Sequence, residues 1–311
     1  MCGRFALAAD RAYVRRALPD AYDWHDEDAF VPRYNIAPRT YAPVLRRDRD
    51  RDGAAMLHSM RWGLVPNWST VEDKSLSTTN ARAENLVDNT PGMWAAAKRT
   101  NRCVVPCQGY YEWLTKGKDK FPHFVKHKDG QMMLMAGLYD RATIDNKELW
   151  TFAIVTTDAC PEMSWLHDRQ PVILSSKEAV DTWLDPSTRT WTPALTELVQ
   201  PYTDHERHPF ECYQVPKEVG RVGTESPLFI EPVKDRKDGI QAMFRKQVQA
   251  AKRKRSADDE GEDEPNKPPR TTPPLLKTQT PPPSPRKRTR SPKKATPVPD
   301  KGKITAFFSK R

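Results

Sequence analysis

Short apolar runs broken by turn residues fill the first three-quarters of the chain. Runs at residues 41–45 (Tyr-Ala-Pro-Val-Leu), 60–65 (Met-Arg-Trp-Gly-Leu-Val), 103–105 (Cys-Val-Val) and 152–155 (Phe-Ala-Ile-Val) are too short for helices. Bounded by turn signals and rich in β-branched and aromatic residues, they read as strands. Asp129-Gly130 lies between His123-Phe124-Val125 and Met132-Met133-Leu134-Met135, which predicts a hairpin. Helix signals are fewer. Asp10 caps a helix through Leu18, and Pro91 opens one reaching Lys98. Ser175 or Ser176 precedes a helix over residues 177–184, and Thr192 precedes one through Val199. Many short strands with scattered helices predict an α+β domain, β-rich, with antiparallel strands flanked by helices.

This pattern stops near residue 234, so residues 1–234 form the expected domain. Residues 235–250 read as a short amphipathic helix-like segment. Residues 251–311 are rich in Pro, Lys, Arg, Ser and Thr, hold none of the nine tryptophans and no tyrosine, and are expected to be disordered. Charge sharpens the division. The chain has 51 basic and 41 acidic residues; 17 and 7 of these lie at 250–311, which leaves 34 of each before them. A front part that is formally neutral over residues 1–249 binds nucleic acid only through a local patch. The tail carries two basic clusters of nuclear-import type, at residues 252–255 and 285–290, so a nuclear location is expected. Ser284-Pro285 and Ser291-Pro292 beside lysines and arginines have the form of proline-directed phosphorylation sites. Near the end, Ile304, Phe307 and Phe308 fall on one side of a helical turn. They resemble the motif that docks on the replication sliding clamp, with Lys301 where glutamine is usual. Ile240-Gln241-Ala242-Met243-Phe244 repeats the pattern.

The five cysteines, Cys2, Cys103, Cys107, Cys160 and Cys212, are odd in number and lack framework spacing, as in an intracellular protein with reduced thiols. Cys103 and Cys107 have no second pair at ligand spacing, which argues against zinc. No metal or organic cofactor is implied. The start lacks the layout of a signal peptide, and no apolar run is long enough to span a bilayer, so no membrane partner is expected.

Polar residues in apolar settings recur in ordered blocks. They are Cys2-Gly3-Arg4, residues 33–38 with Asn35 and Pro38, and Trp62-Gly63-Leu64-Val65-Pro66-Asn67-Trp68. Thr79-Asn80-Ala81-Arg82-Ala83-Glu84, Gly109-Tyr110-Tyr111-Glu112-Trp113 and Trp165-Leu166-His167-Asp168-Arg169-Gln170-Pro171 follow. Over residues 2–175 these blocks resemble the SRAP family, an abasic-site-processing group named for SOS-response-associated peptidase. Gln170, where methionine is common, and Asn85, where threonine or serine is usual, depart from its pattern. The resemblance implies that Cys2 is the nucleophile, Asn80 the active-site amide, Glu112 the acid/base carboxylate and His167 the histidine. It also implies DNA-backbone contacts at Arg4, Arg82 and Arg169, and a single-strand path lined by Pro38 and Trp68. A monomer acting on single-stranded DNA with abasic sites is expected.

The chemistry has its own logic. A cysteine exposed by loss of Met1 carries an α-amine of pKa about 7.7–8.0 beside a thiol of about 8.5. The amine condenses with the aldehyde of an opened abasic sugar, and the thiol closes on the imine carbon to give a thiazolidine. An internal cysteine has only an amide nitrogen there. Glu112 would move the protons, His167 would assist ring opening or reversal, and Asn80 would hold the amine or a lesion hydroxyl. Each residue also has a structural reading: Glu112 on a strand edge, His167 satisfied at a helix end, Arg82 paired with Glu84, tryptophans such as Trp62 in the core. His58, His123 and His127 read as structural or surface. Two rival functions use the same residues: a peptidase acting through Cys2, or an adaptor that binds DNA and recruits partners through its tail.

Overall fold

The computed structural model describes residues 2–73, 78–88 and 92–235. The segment after residue 235, the basic tail and the docking motif of Ile304, Phe307 and Phe308 lie outside these residues. The chain runs through β1 (Arg4–Leu7), α1 (Arg11–Ala17), β2 (Trp24–His25), β3 (Arg33–Ile36), β4 (Tyr41–Arg47) and β5 (Ala55–Trp62). Next come β6 (Asn80–Arg82), α2 (Ala83–Val87), α3 (Ala97–Thr100), β7 (Arg102–Cys107), β8 (Gly109–Lys116) and β9 (Asp119–His127). β10 (Met133–Ile144), β11 (Lys147–Asp158), β12 (Arg169–Pro171), α4 (Lys177–Leu184), α5 (Pro193–Leu198) and β13 (Phe210–Gln214) complete it. The expected β-rich α+β class holds.

Two sheets form. The first has five strands in the order β13-β9-β8-β1-β3, all antiparallel. The second has eight, in the order β12-β11-β10-β7-β4-β5-β2, with β6 added on β11. β5 returns to pair in parallel with β11, Arg61 opposite Thr151 and Trp62 opposite Phe152, and this closes β11-β10-β7-β4-β5 into a ring. β6 continues along the same edge of β11, with Asn80 opposite Ile154 and Arg82 opposite Thr156. β7 is buried along its whole length, which suits the apolar run that follows Arg102. One residue, Gln108, carries the chain from β7 in the second sheet to β8 in the first. Its N–H donates to Ala6 O and its Oε1 accepts from Ala8 N at 2.7 Å.

Turn chemistry explains two hairpins. Asp145 and Asn146, both left-handed, form the two-residue link between β10 and β11. Gly117, also left-handed, begins the link between β8 and β9. The hairpin predicted around Asp129-Gly130 does not form. β9 pairs with β8 and β13, whereas β10 pairs with β7 and β11, so that turn passes the chain between sheets. Three helices start where predicted, with Asp10, Ser176 and Thr192 accepting from Tyr13 N, Ala179 N and Leu195 N. Pro91, expected to open a helix, lies outside the described residues; from Gly92 the chain turns, Ala95 N donating to Gly92 O, before the short α3.

The main core fills the space within and between the sheets; Trp62 is fully buried there, between Phe5 and Phe152. A smaller core covers the other face of the first sheet, built from Ala6, Tyr111, Phe124, Val215, Val219 and Phe229. Gly109 sits at the bend into β8 under the Phe124 ring. A Cβ there would lie 2.5 Å from both Phe124 Cζ and the carbonyl oxygen of Val125. Because one of these is backbone, Gly109→Ala is expected to lower stability by about 1–3 kcal/mol, read as a urea midpoint shift at unchanged m-value.

Candidate active site

Alternation along the first sheet decides which side chains meet. Tyr110 and Glu112 share one face of β8, and Tyr111 and Trp113 pack with the smaller core on the other. Cys2 enters just before β1 and is fully buried in the main core, with its thiol donating to Arg4 O at 3.7 Å. The Asn80 amide reaches over from β6, where Nδ2 donates to Cys2 O at 2.9 Å and to Thr79 Oγ1 at 3.3 Å. Its Oδ1 is buried with no hydrogen-bond partner among the described residues. Glu112 is only 4% exposed, and its Oε1 accepts from Trp113 N at 3.2 Å. Burial, and after it the charges of Glu112 and Cys107, push the Cys2 thiol well above its ordinary range. The thiol is therefore neutral near pH 7. Cys2, Asn80 and Glu112 thus come together from three distant parts of the sequence.

His167 lies just before β12, half-buried. Its Nδ1 is 3.0 Å from Arg169 N and 2.7 Å from Asp168 Oδ1. It can accept from the first or donate to the second, not both. The Asp168 side chain is 85% exposed, so water competes for it and the backbone donor is the steadier partner. In that tautomer Nε2 carries the proton. Arg169 is a fastener. It grips Glu84 with both terminal nitrogens, at 2.6 and 2.8 Å, and also reaches Asp158 at 2.7 Å and Thr156 O at 2.8 Å. This ties β12, which His167 closely precedes, to the segment following Asn80 across β11.

The arginines expected at DNA divide. Arg4 is buried on the face opposite Phe5, donating to Asn35 Oδ1 at 2.8 Å, Val219 O at 2.7 Å and Gly220 O at 3.1 Å. Arg169 is committed as described. Both guanidinium groups hold the protein together. The Arg82 side chain is exposed at the end of β6, where its charge acts on Glu84. Trp68 is 66% exposed on the loop after β5, and Pro38 is exposed beside Arg39, Arg61 and Pro66 around a shallow depression. Sequence reasoning gave Trp165 no role and His123 a bland one. Trp165 is 51% exposed and its ring stands nearly perpendicular to that of His123, with centroids 5.4 Å apart; His123 lies directly opposite Glu112 across β8 and β9. The signal available was a tryptophan two residues from His167.

Two other clusters of donor groups resemble metal sites only in composition. In His25, Asp26 and His58, the Nδ1 of His58 already accepts from Arg46 Nε at 3.2 Å, so its Nε2 bears the proton. In Cys160, Glu162 and His205, the Nε2 of His205 is 3.1 Å from both Tyr202 O and Glu162 Oε2, a donor's position. In each arrangement an imidazole is already committed to a protein partner.

Comparison with known proteins now has a geometry to meet. The sequence model of the SOS response associated peptidase (SRAP) family matches residues 1–222. An abasic site processing protein of Saccharomyces cerevisiae is 35% identical over 262 residues, covering 75% of this chain and 68% of the relative. Abasic site processing proteins of Gallus gallus (30% identical; 75% of this chain, 78% of the relative) and Bacillus subtilis (32%; 74% and 99%) are similar too. A crystal structure of a protein from Bacteroides thetaiotaomicron shares the fold, with a TM-score of 0.62 at 23% identity over 74% of this chain and 99% of that one.

The Arg169 fastener makes a prediction. Arg169→Ala removes the fork between Glu84, Asp158 and Thr156 O and should destabilise the fold by about 1–3 kcal/mol; Arg169→Lys, which lacks the fork, should recover only part. The hydrogen bonds from Arg169 hold the Glu84 carboxyl below its ordinary value of 4.5. Its contribution is complete above that value and is lost as pH falls through the depressed one. Thermal melts of the wild type and Arg169→Ala should therefore draw together in acid.

Proposed function

The chain belongs to the SOS response associated peptidase (SRAP) family, and on that premise we propose that it captures abasic sites in single-stranded DNA as a covalent thiazolidine on Cys2 once Met1 is removed. Its similar relatives bear the name abasic site processing protein. The observation that carries the proposal is the setting of Cys2: its carbonyl is gripped by Asn80 and its thiol sits neutral beside the Glu112 carboxylate.

The steps follow from those groups. The free α-amine attacks the aldehyde carbon, and a C–N bond forms as the carbonyl π pair moves to oxygen. In two successive transfers Glu112 takes both amine protons from nitrogen and returns them to the oxygen, so water leaves and a neutral imine remains. The thiol then adds across the C=N bond; sulfur bonds to carbon and its proton passes to nitrogen. Amine, thiol and aldehyde become thiazolidine and one water, with no oxidant, metal or cofactor. The unpartnered Oδ1 of Asn80 accepts from the amine or from a lesion hydroxyl, and Nε2 of His167 serves the sugar oxygen during ring opening. Arg82 holds a phosphate, and Trp68 and Pro38 line the strand path. Arg4 and Arg169, committed within the protein, act as positioning residues.

The peptidase reading, in which Cys2 cleaves the bond to Met1, needs a thiolate. The raised thiol pKa disfavours one, and capture through the amine does not need it at the first step. The tail's basic clusters suit nuclear import, and a monomer suffices because every proposed group comes from one chain.

Purified protein shown by mass spectrometry to lack Met1 should form a denaturation-resistant adduct with single-stranded DNA carrying an abasic site. Cys2→Ala and Cys2→Ser should abolish it, and Glu112→Gln should slow its formation by about 100-fold or more. No adduct with the wild type sinks the proposal. The tail is tested apart: Phe307→Ala with Phe308→Ala should abolish retention on immobilised sliding clamp, and unchanged retention would dismiss that docking site.

A further inference from the structure

We infer that Trp165 is a second base-stacking platform, which holds an unpaired nucleobase on the opposite side of the lesion from Trp68. The inference rests on the proposed single-strand function and extends it to the other end of the site.

Three observations carry it. Trp165 is half exposed next to buried Leu166, and its ring stands nearly perpendicular to that of His123, so the two do not stack on each other. Its neighbours lead straight to the reaction centre: His123 lies opposite Glu112, and the Glu112 charge acts on Cys2. The third is position along β11. The Trp68 loop is anchored near the start of the pairing region, where Val65 N donates to Thr151 Oγ1 and Asn67 N to Asp140 Oδ2, both at 2.8 Å. Asn80 stands opposite Ile154. The Trp165 loop leaves the far end, closed by Ala159 N to Asp168 O at 2.9 Å. At about 3.3 Å per residue, Thr151 to Asp158 spans on the order of 20 Å, room for a few nucleotides between the two rings.

Charge decides what kind of contact Trp165 makes. Asp158 and Asp168 are largely exposed near it, and Arg169 is already bound to Glu84. Phosphates gain little there, whereas an aromatic face accepts any base. Stacking, not ion pairing, secures this end of the strand.

The test uses the full chain and two DNAs. On undamaged single-stranded DNA, Trp165→Ala should lower affinity by about tenfold with an unchanged slope of log K against log salt, whereas Arg82→Ala should reduce that slope by about 0.7. Trp165→Phe should keep most of the affinity. A 2-aminopurine base moved along the strand should lose its quenching at one position in Trp165→Ala. Unchanged affinity in Trp165→Ala, a flattened salt slope, or a loss in Trp165→Phe equal to that in Trp165→Ala would each overturn the platform. Thermal melting checks the fold; should Trp165→Ala melt early, Trp165→Phe and the wild-type quenching profile still decide. The second DNA, with an abasic site, separates the two readings. Adduct formation without stacking at Trp165 ends this inference alone, and stacking without an adduct ends the crosslinking proposal alone.

Discussion

Along one edge of β11, two short strands pair in tandem and in parallel: β5 at Thr151 and Phe152, then β6 from Ile154 to Thr156. Neither pairing is local, so each must offset the entropy of a long closed loop. The first closes the ring of the second sheet and fixes the loop that presents Trp68. The second delivers Asn80 to the Cys2 carbonyl. β12 then pairs at the end of β11 and brings His167. Only Cys2 and Glu112 come from the other sheet, so the site is a seam between two sheets. Its geometry is as rigid as the register of β11.

The charges follow from that seam. Residues 1–249 are formally neutral, and several of the domain's arginines face inward. Arg102 donates to five carbonyl oxygens, from Trp183, Lys98, Arg99, Asp185 and Thr188, and Arg4 ties β1 to the chain at Val219 and Gly220. A buried guanidinium in such a fork gathers loop carbonyls that would otherwise lack partners. The consequence for function is subtractive. Cations used this way cannot meet phosphates, so on the proposed function a strand would rely on the few that stay outside, such as Arg82, and on aromatic faces.

How far the sequence discloses this depends on whether each signal is local. The caps at Asp10, Ser176 and Thr192 are local and hold. The turn at Asp129-Gly130 is real, but whether the flanking strands pair with each other depends on the competing edges of β8 and β7, which no window around the turn contains. The same applies at the site. The blocks holding Cys2, Asn80, Glu112 and His167 are legible as blocks, and the fold brings the first three together. Burial separates residues that look alike on paper: Arg4 and Arg82 are both arginines in polar motifs, but β1 turns one into the protein and β6 leaves the other outside. Trp165 shows the converse, an aromatic residue given no role at first but exposed by a loop that sequence periodicity does not resolve.

Burial of Cys2 looks adverse for a nucleophile, since it holds the thiol in its neutral form. On the proposed mechanism that is an advantage. Attack begins at nitrogen, and the thiol acts only after an imine carbon has formed within the same residue. Ring closure is then intramolecular, where effective concentrations reach about 10⁵ M or more and compensate for a small thiolate fraction. A free, ionised thiol would meet oxidants and electrophiles before any lesion. A buried neutral thiol beside an amine reacts with a partner that the amine has already captured. Selectivity for an aldehyde on a strand able to enter the seam follows from the order of the two bonds, and needs no recognition pocket of its own.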